Sequence, residues 1–204
     1  MVSEEIIKGK EELRGFLKKF PPNKVVLFIV EAKDYQKAGM EIVKTIIMLN
    51  KFSGIYITTG RPHAVIAELM EKAGIDTTRV FFIDCVTRMY LAPKGIVLGK
   101  PGMEMTESCL YLTSPSNLTE LGVALSQALA EIKSPQNKFI FVDSLSMLLL
   151  YNDESTVIKF IHFLTTRVKL FGLIGIIMVM EKIVREDLFT ALHELCDAIV
   201  EVKI

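Results

Sequence analysis

Short apolar runs alternate along this chain with longer segments of helical periodicity, and that alternation limits the folds the chain can adopt. The runs are rich in Val, Ile and Phe without regular polar alternation, which is typical of strands covered on both faces. The intervening segments repeat apolar residues every three or four positions, as helices with one buried face do. This order predicts a three-layer α/β domain, with a mostly parallel central sheet and helices on both faces. The predicted strands cover residues 25–30, 54–59, 80–86, 109–113, 138–144, 174–181 and 198–202.

The composition fits a large buried core. Of the 204 residues, 50% are hydrophobic and 24% are charged, which excludes disordered, collagen-like and disulfide-scaffold proteins. The longest strongly apolar run, residues 170–180, is shorter than the roughly 20 residues that span a bilayer. The N-terminus carries Glu4 and Glu5 where a signal peptide has basic residues. We therefore expect a cytoplasmic protein without membrane association.

No repeat, linker or low-complexity stretch divides the chain, so we expect a single domain over residues 1–204. Residues 1–22 form an amphipathic N-terminal segment ahead of the first predicted strand. Residues 88–107 contain several prolines and glycines and are predicted to form an inserted loop or small hairpin between two strands. An insertion of this length can be a lid or an interaction element, or a tolerated surface excursion, and the sequence leaves both open.

Charge and cysteine content exclude two further classes of function. The 24 Lys and Arg residues balance the 24 Asp and Glu residues, so the chain lacks the basic excess of a dedicated nucleic-acid binder. The three cysteines form no CxxC pair and indicate a reducing compartment. His193 and Cys196 have the spacing of metal ligands, but no second pair accompanies them. We predict neither nucleic-acid binding nor a metal site.

A ligand site in such a sheet is expected at the carboxyl ends of the strands, where loops and helix N-termini converge. Asp84 and Asp143 each follow a buried apolar run, and each carboxylate needs a partner there. Lysines in the loop after residues 25–30, together with Lys182, would supply positive charge for an anion. The candidate site residues are Glu31, Lys33, Lys37, Thr59, Arg61, Asp84, Asp143, Ser144 and Glu181.

Residues 139–144 have the form of a Walker B strand, in which four apolar residues precede an aspartate that orients the magnesium shell in nucleotide hydrolases. The same pattern also arises when a strand-end aspartate caps the next helix or turn. The Walker A position, residues 31–39, contains one glycine, no Gly-Lys-Thr/Ser sequence and two acids that would repel phosphate. We therefore predict that the standard phosphate-binding loop is absent.

Several segments together resemble the RecA-superfamily ATPases of the KaiC/RadA-like type, particularly the archaeal KaiC-like proteins. The similarity covers residues 24–204 and rests on the order and spacing of the segments. Residues 55–59 and 80–85 resemble that family's second strand and the strand after it, residues 141–146 its Walker B strand, and residues 177–181 and 195–200 its last two core strands.

This resemblance implies a RecA-like fold of the P-loop NTPase type, but the departures from the family predict that the activity is lost. Family members carry a catalytic glutamate just after the second strand, where this chain has Gly60 and Arg61, and only Asp143 of the hydrolytic set is kept. Positioning and nucleophile activation, on which phosphoryl transfer relies, would both be missing. We therefore expect a pseudo-ATPase without catalytic residues that acts as an interaction or regulatory module, as a homo-oligomer or with a protein partner.

Two alternatives keep a ligand at this edge of the sheet. The first is a non-standard ATP- or ADP-binding protein, with positive charge from Lys33, Lys37 and Arg61. The second is an ATPase that uses the edge near Asp143 in an unrelated arrangement. In either case Asp143 would contact a metal only if Mg²⁺ is bound. Apart from ATP and Mg²⁺ under these alternatives, we expect no cofactor.

Overall fold

The computed structural model describes residues 3–91, 104–132, 137–181 and 186–204, and within these ranges the strands form one nine-stranded sheet. The strands are β1 (Ser3–Lys8), β2 (Lys24–Val30), β3 (Ser53–Thr58), β4 (Val80–Asp84), β5 (Glu104–Met105), β6 (Cys109–Tyr111), β7 (Lys138–Asp143), β8 (Ile174–Met180) and β9 (Ala198–Lys203). Their order across the sheet is β1-β9-β2-β8-β7-β3-β4-β6-β5. Neighbouring strands pair in parallel, except that β5 runs antiparallel to β6 at one edge.

Helices cover both faces of this sheet. They are α1 (Lys10–Lys19), α2 (Tyr35–Lys44), α3 (His63–Lys72), α4 (Thr87–Leu91), α5 (Leu118–Glu131), α6 (Leu145–Tyr151), α7 (Glu154–Phe171) and α8 (Glu186–Leu195). Helix α2 continues into a π-helical turn over Thr45–Leu49. None of the helices within the described ranges combines the length and the hydrophobicity needed to cross a bilayer.

The core is split by the sheet into two apolar layers, which confirms the predicted three-layer α/β architecture. Along β2, Val25 and Leu27 point into one layer, with α5, α6, α7 and α8. Val26 and Phe28 point into the other layer, with α1, α2 and α3. Because both faces of the central strands are buried, their sequences are apolar without alternation. This arrangement also accounts for the high hydrophobic content of a chain of this length.

The N-terminal segment differs from the expectation, because it contributes a strand as well as an amphipathic helix. Strand β1 pairs with β9 at the edge of the sheet and buries only Ile7 among its residues. An edge strand exposed in this way has no continuous apolar run, so the sequence pattern did not reveal it. The run at residues 25–30 is consequently the second strand along the chain, not the first.

The insertion predicted at residues 88–107 is partly described. Helix α4 occupies its beginning, and β5 at its far end forms an antiparallel pair with β6, in which Glu104 faces Tyr111 and Met105 faces Leu110. The strand that β5 pairs with lies beyond residue 107, so a loop or hairpin within the insertion itself stays a prediction. Residues 92–103 lie outside the described residues.

Candidate functional site at the carboxyl edge of the sheet

Asp143 ends the central strand β7, and its carboxylate is held by groups from three elements. The Tyr56 hydroxyl, from the neighbouring strand β3, donates to Asp143 Oδ2 over 2.6 Å. The Tyr35 hydroxyl, from the first residue of α2, donates to Oδ1 over 3.1 Å. The Arg61 guanidinium, from the loop before α3, lies 3.8 Å from Oδ2. Both carboxylate oxygens are therefore engaged within the protein, and a cation stands beside them.

The two tyrosines are suited to remain hydrogen-bond donors. Burial, followed by the charge of Asp143, raises the pKa of Tyr56 well above its usual range, and the same causes raise the pKa of Tyr35. Both phenols therefore keep their protons throughout the neutral range. The Tyr56 ring stacks on Phe141 with 4.8 Å between ring centroids, which fixes its hydroxyl against the carboxylate.

The connection from β2 to α2 is a tight turn over residues 31–34. The backbone N–H of Asp34 donates to the carbonyl of Glu31 over 3.0 Å and closes it. Lys33 is exposed and its ammonium lies 2.8 Å from the Glu31 carboxylate, which raises the pKa of Lys33. Lys37 is exposed on the first turn of α2. The positive charge predicted at Lys33 is therefore already paired with the Glu31 carboxylate.

Thr59 and Ser144 join the ends of β3 and β7. The Thr59 hydroxyl accepts the Ser144 backbone N–H over 2.8 Å, and the Thr59 backbone N–H donates to the Asp143 carbonyl over 2.8 Å. The Ser144 hydroxyl accepts the Met147 backbone N–H and caps α6. The Asp143–Ser144 peptide bond is cis. These contacts give both side chains a structural role beside Asp143.

Arg61 links the loop after β3 to the start of α2. Its guanidinium donates to the Gln36 side-chain oxygen over 2.8 Å while facing Asp143. Glu181 follows β8 and is exposed at the same edge, and Lys182 lies outside the described residues. The structure therefore brings Arg61, Thr59 and Ser144 to Asp143.

Asp84 forms a separate centre, one strand away from Asp143. In the register, Thr58 of β3 faces Asp84 on one side and Asp143 on the other, so the two backbones are about 10 Å apart. The Asp84 carboxylate accepts the backbone N–H groups of His63, Val86 and Thr87 and the Thr87 hydroxyl. It thereby caps the start of both α3 and α4.

The protonation of Asp84 follows from these contacts. Burial alone would raise the pKa of Asp84, but the hydrogen bonds from His63 and Thr87 outweigh it and lower the pKa to about 2. The His63 ring nitrogen Nδ1 lies 3.1 Å from Oδ2, and the ring also contacts Tyr111. Asp84 is thus a buried, ionised helix cap.

His63, Asp84 and Cys109 place one potential metal-binding atom each within 4.8 Å of one another. Both Asp84 oxygens already accept at least two donors. Burial raises the pKa of the Cys109 thiol to about 12, so the thiolate that a metal requires is disfavoured. We assign no metal to these three residues.

The residues that sequence reasoning missed are aromatic or polar partners of the two aspartates. Tyr35 and Tyr56 hold Asp143, Gln36 holds Arg61, and His63 accompanies Asp84. Tyr35 could have been noticed, because it lies inside the Walker A position, residues 31–39. Tyr56 had no such signal, since aromatic residues are common in buried strands.

The comparisons with known proteins agree with this architecture. Residues 53–202 match the model of a family of unknown function, DUF7504. No curated protein matches the chain. The fold is similar to that of the KaiC-like protein PH0186 from the hyperthermophilic archaeon Pyrococcus horikoshii OT3, with a TM-score of 0.60, 12% identity, and coverage of 91% of this chain and 75% of that one. At this identity the similarity concerns the fold, and it confirms the RecA/KaiC-like fold expected above.

Proposed function

Since the chain belongs to the DUF7504 family, whose function is unknown, we propose its role from its own geometry: a RecA/KaiC-like domain that has lost ATP hydrolysis and acts through protein contacts. The observation that carries this proposal is the occupied carboxylate of Asp143. Its two oxygens accept the hydroxyls of Tyr35 and Tyr56, where a hydrolase directs this aspartate to the magnesium shell. A magnesium shell would have to share these two oxygens with both phenols and compete with the charge of Arg61.

The turn between β2 and α2 supports the same proposal. A phosphate-binding loop needs glycines, so that several backbone N–H groups can surround the phosphates, and a lysine that reaches them. Residues 31–34 include no glycine, and Lys33 is paired with Glu31. Tyr35, at the start of α2, sends its hydroxyl to Asp143. This connection is too short and too acidic to form the usual cradle.

The absence of a catalytic base is the third observation that supports the proposed loss of hydrolysis. In the resembling family a glutamate after the second strand activates the attacking water, and here that position holds Arg61, whose guanidinium faces Asp143 and Gln36. An arginine stays protonated and cannot accept a proton from water. Under the proposal, Arg61 closes the site by bridging Asp143 to α2.

A second function, non-standard nucleotide binding, is favoured by one observation. Arg61 and Lys37 carry positive charge at the carboxyl edge of the sheet, where ligands of such folds bind. Arg61, however, already donates to Gln36 and lies beside a carboxylate of opposite charge. We therefore rank this function second.

Calorimetry and turnover assays test the proposal. Titration of the full chain with ATP, ADP or GTP and Mg²⁺ should give neither saturable heat nor thermal stabilisation. ATP turnover should be at background and equal in the wild type, in Asp143→Ala and in the matched control Asp153→Ala, whose side chain caps α7. Saturable binding would favour the second function, and turnover lost only in Asp143→Ala would overturn the proposal.

The interaction role has its own test. Light scattering should show an assembly, or affinity capture followed by reconstitution with the purified partner should yield a defined complex. A strictly monomeric chain that forms no complex would contradict this half of the proposal and leave the loss of hydrolysis unaffected.

A further inference from the structure

Helices α5 and α7 each carry an exposed apolar side chain outside the stripe that packs on the sheet. The inward stripe of α7, with Val157 and Ile161, is fully buried in the core. Val123 of α5 and Phe171 of α7 line hollows between the two helices, beside Phe163, which packs partly against the core. The core does not account for the apolar character of Val123 and Phe171, so it needs another cause.

The hollows between these two helices form a surface groove, here called the α5/α7 groove. It consists of two hollows of about 470 and 540 Å³ that share Ser126 and Arg167. Along α7 it extends from Thr156 to Phe171, which is about 22 Å at the rise of an α-helix. That length matches a helix of about four turns.

Exposed apolar side chains concentrate at this groove. Val123 of α5 and Phe171 of α7 line it and are 47% and 55% exposed, and Leu170, 74% exposed, neighbours Phe171 without lining the groove. The other large exposed hydrophobic residues within the described ranges lie singly on separate elements. Grouped exposure of this kind marks an interaction surface, whereas single exposed residues are ordinary.

The charged side chains that line the groove within the described residues are all positive. Lys159, Arg167 and Lys138 line it, and no Asp or Glu is among the described residues that do. The Arg167 guanidinium lies 5.1 Å from the ring centroid of Phe163 and 5.6 Å from that of Phe171. This cation–π contact holds the arginine within the apolar surface, and aromatic residues with arginine are the usual anchors of protein interfaces.

We propose that the α5/α7 groove binds an amphipathic helix of a partner protein, with an apolar stripe flanked by Glu or Asp. An apolar floor of helical length is the helix-in-groove mode of recognition, and the cationic lining selects acidic flanks. The proposal rests on the interaction role proposed above and names its surface. Within the described ranges, the other exposed hydrophobic residues offer no matching stripe, and this favours a partner over a second copy as the occupant.

A displayed library tests the groove directly. The library holds 16-residue helical peptides (about four turns) with a fixed apolar stripe and randomised flanks, and it is selected on the folded full chain. Acidic flanks should be enriched. Selected peptides should bind Arg167→Glu and Phe171→Ala at least about tenfold more weakly, and salt should weaken binding to the wild type. Lys18→Glu and Val65→Ala, exposed changes of the same kinds on α1 and α3, should bind as the wild type does.

Four results would overturn the proposal. The first three are no enrichment, enrichment of basic flanks, and binding to both groove variants that equals binding to the wild type. The fourth is self-association that Phe171→Ala abolishes, because the occupant would then be a second copy. Circular dichroism of each variant verifies that the fold is kept. ATP turnover with intact peptide binding would overturn only the loss of hydrolysis, and absent binding with no turnover would overturn only the groove.

Discussion

Replacing Asp84 with asparagine should destabilise the fold more than any other single loss of a carboxylate charge described above. The two Asp84 oxygens accept three backbone N–H groups and the Thr87 hydroxyl, and they join the starts of α3 and α4. In Asp84→Asn one oxygen becomes an NH₂ group, which donates. At least one backbone N–H that this oxygen accepted then faces another donor, at a position with no exposure to water.

The magnitude follows from the pKa and from the lost acceptors. The hydrogen bonds lower the pKa of Asp84 from the ordinary 3.8 to about 2, against the opposing effect of burial. A shift of that size is worth about 2 kcal/mol of stability above pH 4. A buried donor left without an acceptor adds about 1 kcal/mol. We expect a loss of about 3 kcal/mol, or about 6–12 °C in Tm for a chain of this length.

Urea unfolding followed by circular dichroism measures this loss. Because the folded pKa of Asp84 is depressed, its contribution is complete above pH 3.8 and is lost as the pH falls through 2. The stability difference between wild type and Asp84→Asn should be constant from neutral pH to about pH 5 and shrink below about pH 4. Asp76→Asn, which removes an exposed charge bonded to Thr78, is the matched control and should lose much less. A difference below about 1 kcal/mol, or one independent of pH, would refute the reasoning.

Three further changes test other parts of the structure. Tyr56→Phe should cost about 1–3 kcal/mol in urea unfolding, because it removes the shorter hydroxyl bond to Asp143; an unchanged midpoint would contradict the occupied carboxylate. Gly54→Ala should lower the free energy of unfolding by about 3 kcal/mol or more, because the new Cβ would lie 2.3 Å from the Phe139 carbonyl oxygen. Gly122→Ala, in helix α5, should instead raise the free energy of unfolding by about 0.5–1 kcal/mol. The three cysteines are buried with raised thiol pKa values, so a thiol reagent at neutral pH should label them only after denaturation, and rapid native labelling would be inconsistent with this packing.

The sequence predicted the fold well where the strands are central. Strands β2, β3 and β7 are covered on both faces, so their apolar runs match the observed bounds within a residue or two. Strand β1 was missed because it lies at the edge and buries only Ile7. Its position depends on pairing with β9, whose residues lie nearly the whole chain away, and no local pattern encodes that pairing.

The sequence located Asp143 at the edge of the sheet but not the residues that contact it, and a functional role for this edge stays a prediction. Asp143 was identified because an aspartate directly follows an apolar strand. Its partners could not be identified, since Tyr35 and Tyr56 are 108 and 87 positions away along the chain. Asp84 was grouped with Asp143 because both end strands at one edge, and the register separates them by a strand.

The contact between Tyr35 and Asp143 makes the present arrangement hard to reverse. Installing a nucleotide site would require a longer β2–α2 connection with glycines, removal of the Tyr35 phenol and replacement of Arg61. Any one of these changes alone leaves the Asp143 charge poorly matched in a buried position, at a cost of about 1–3 kcal/mol. If hydrolysis has been lost as proposed, a phosphate site at this edge would return only through several changes made together.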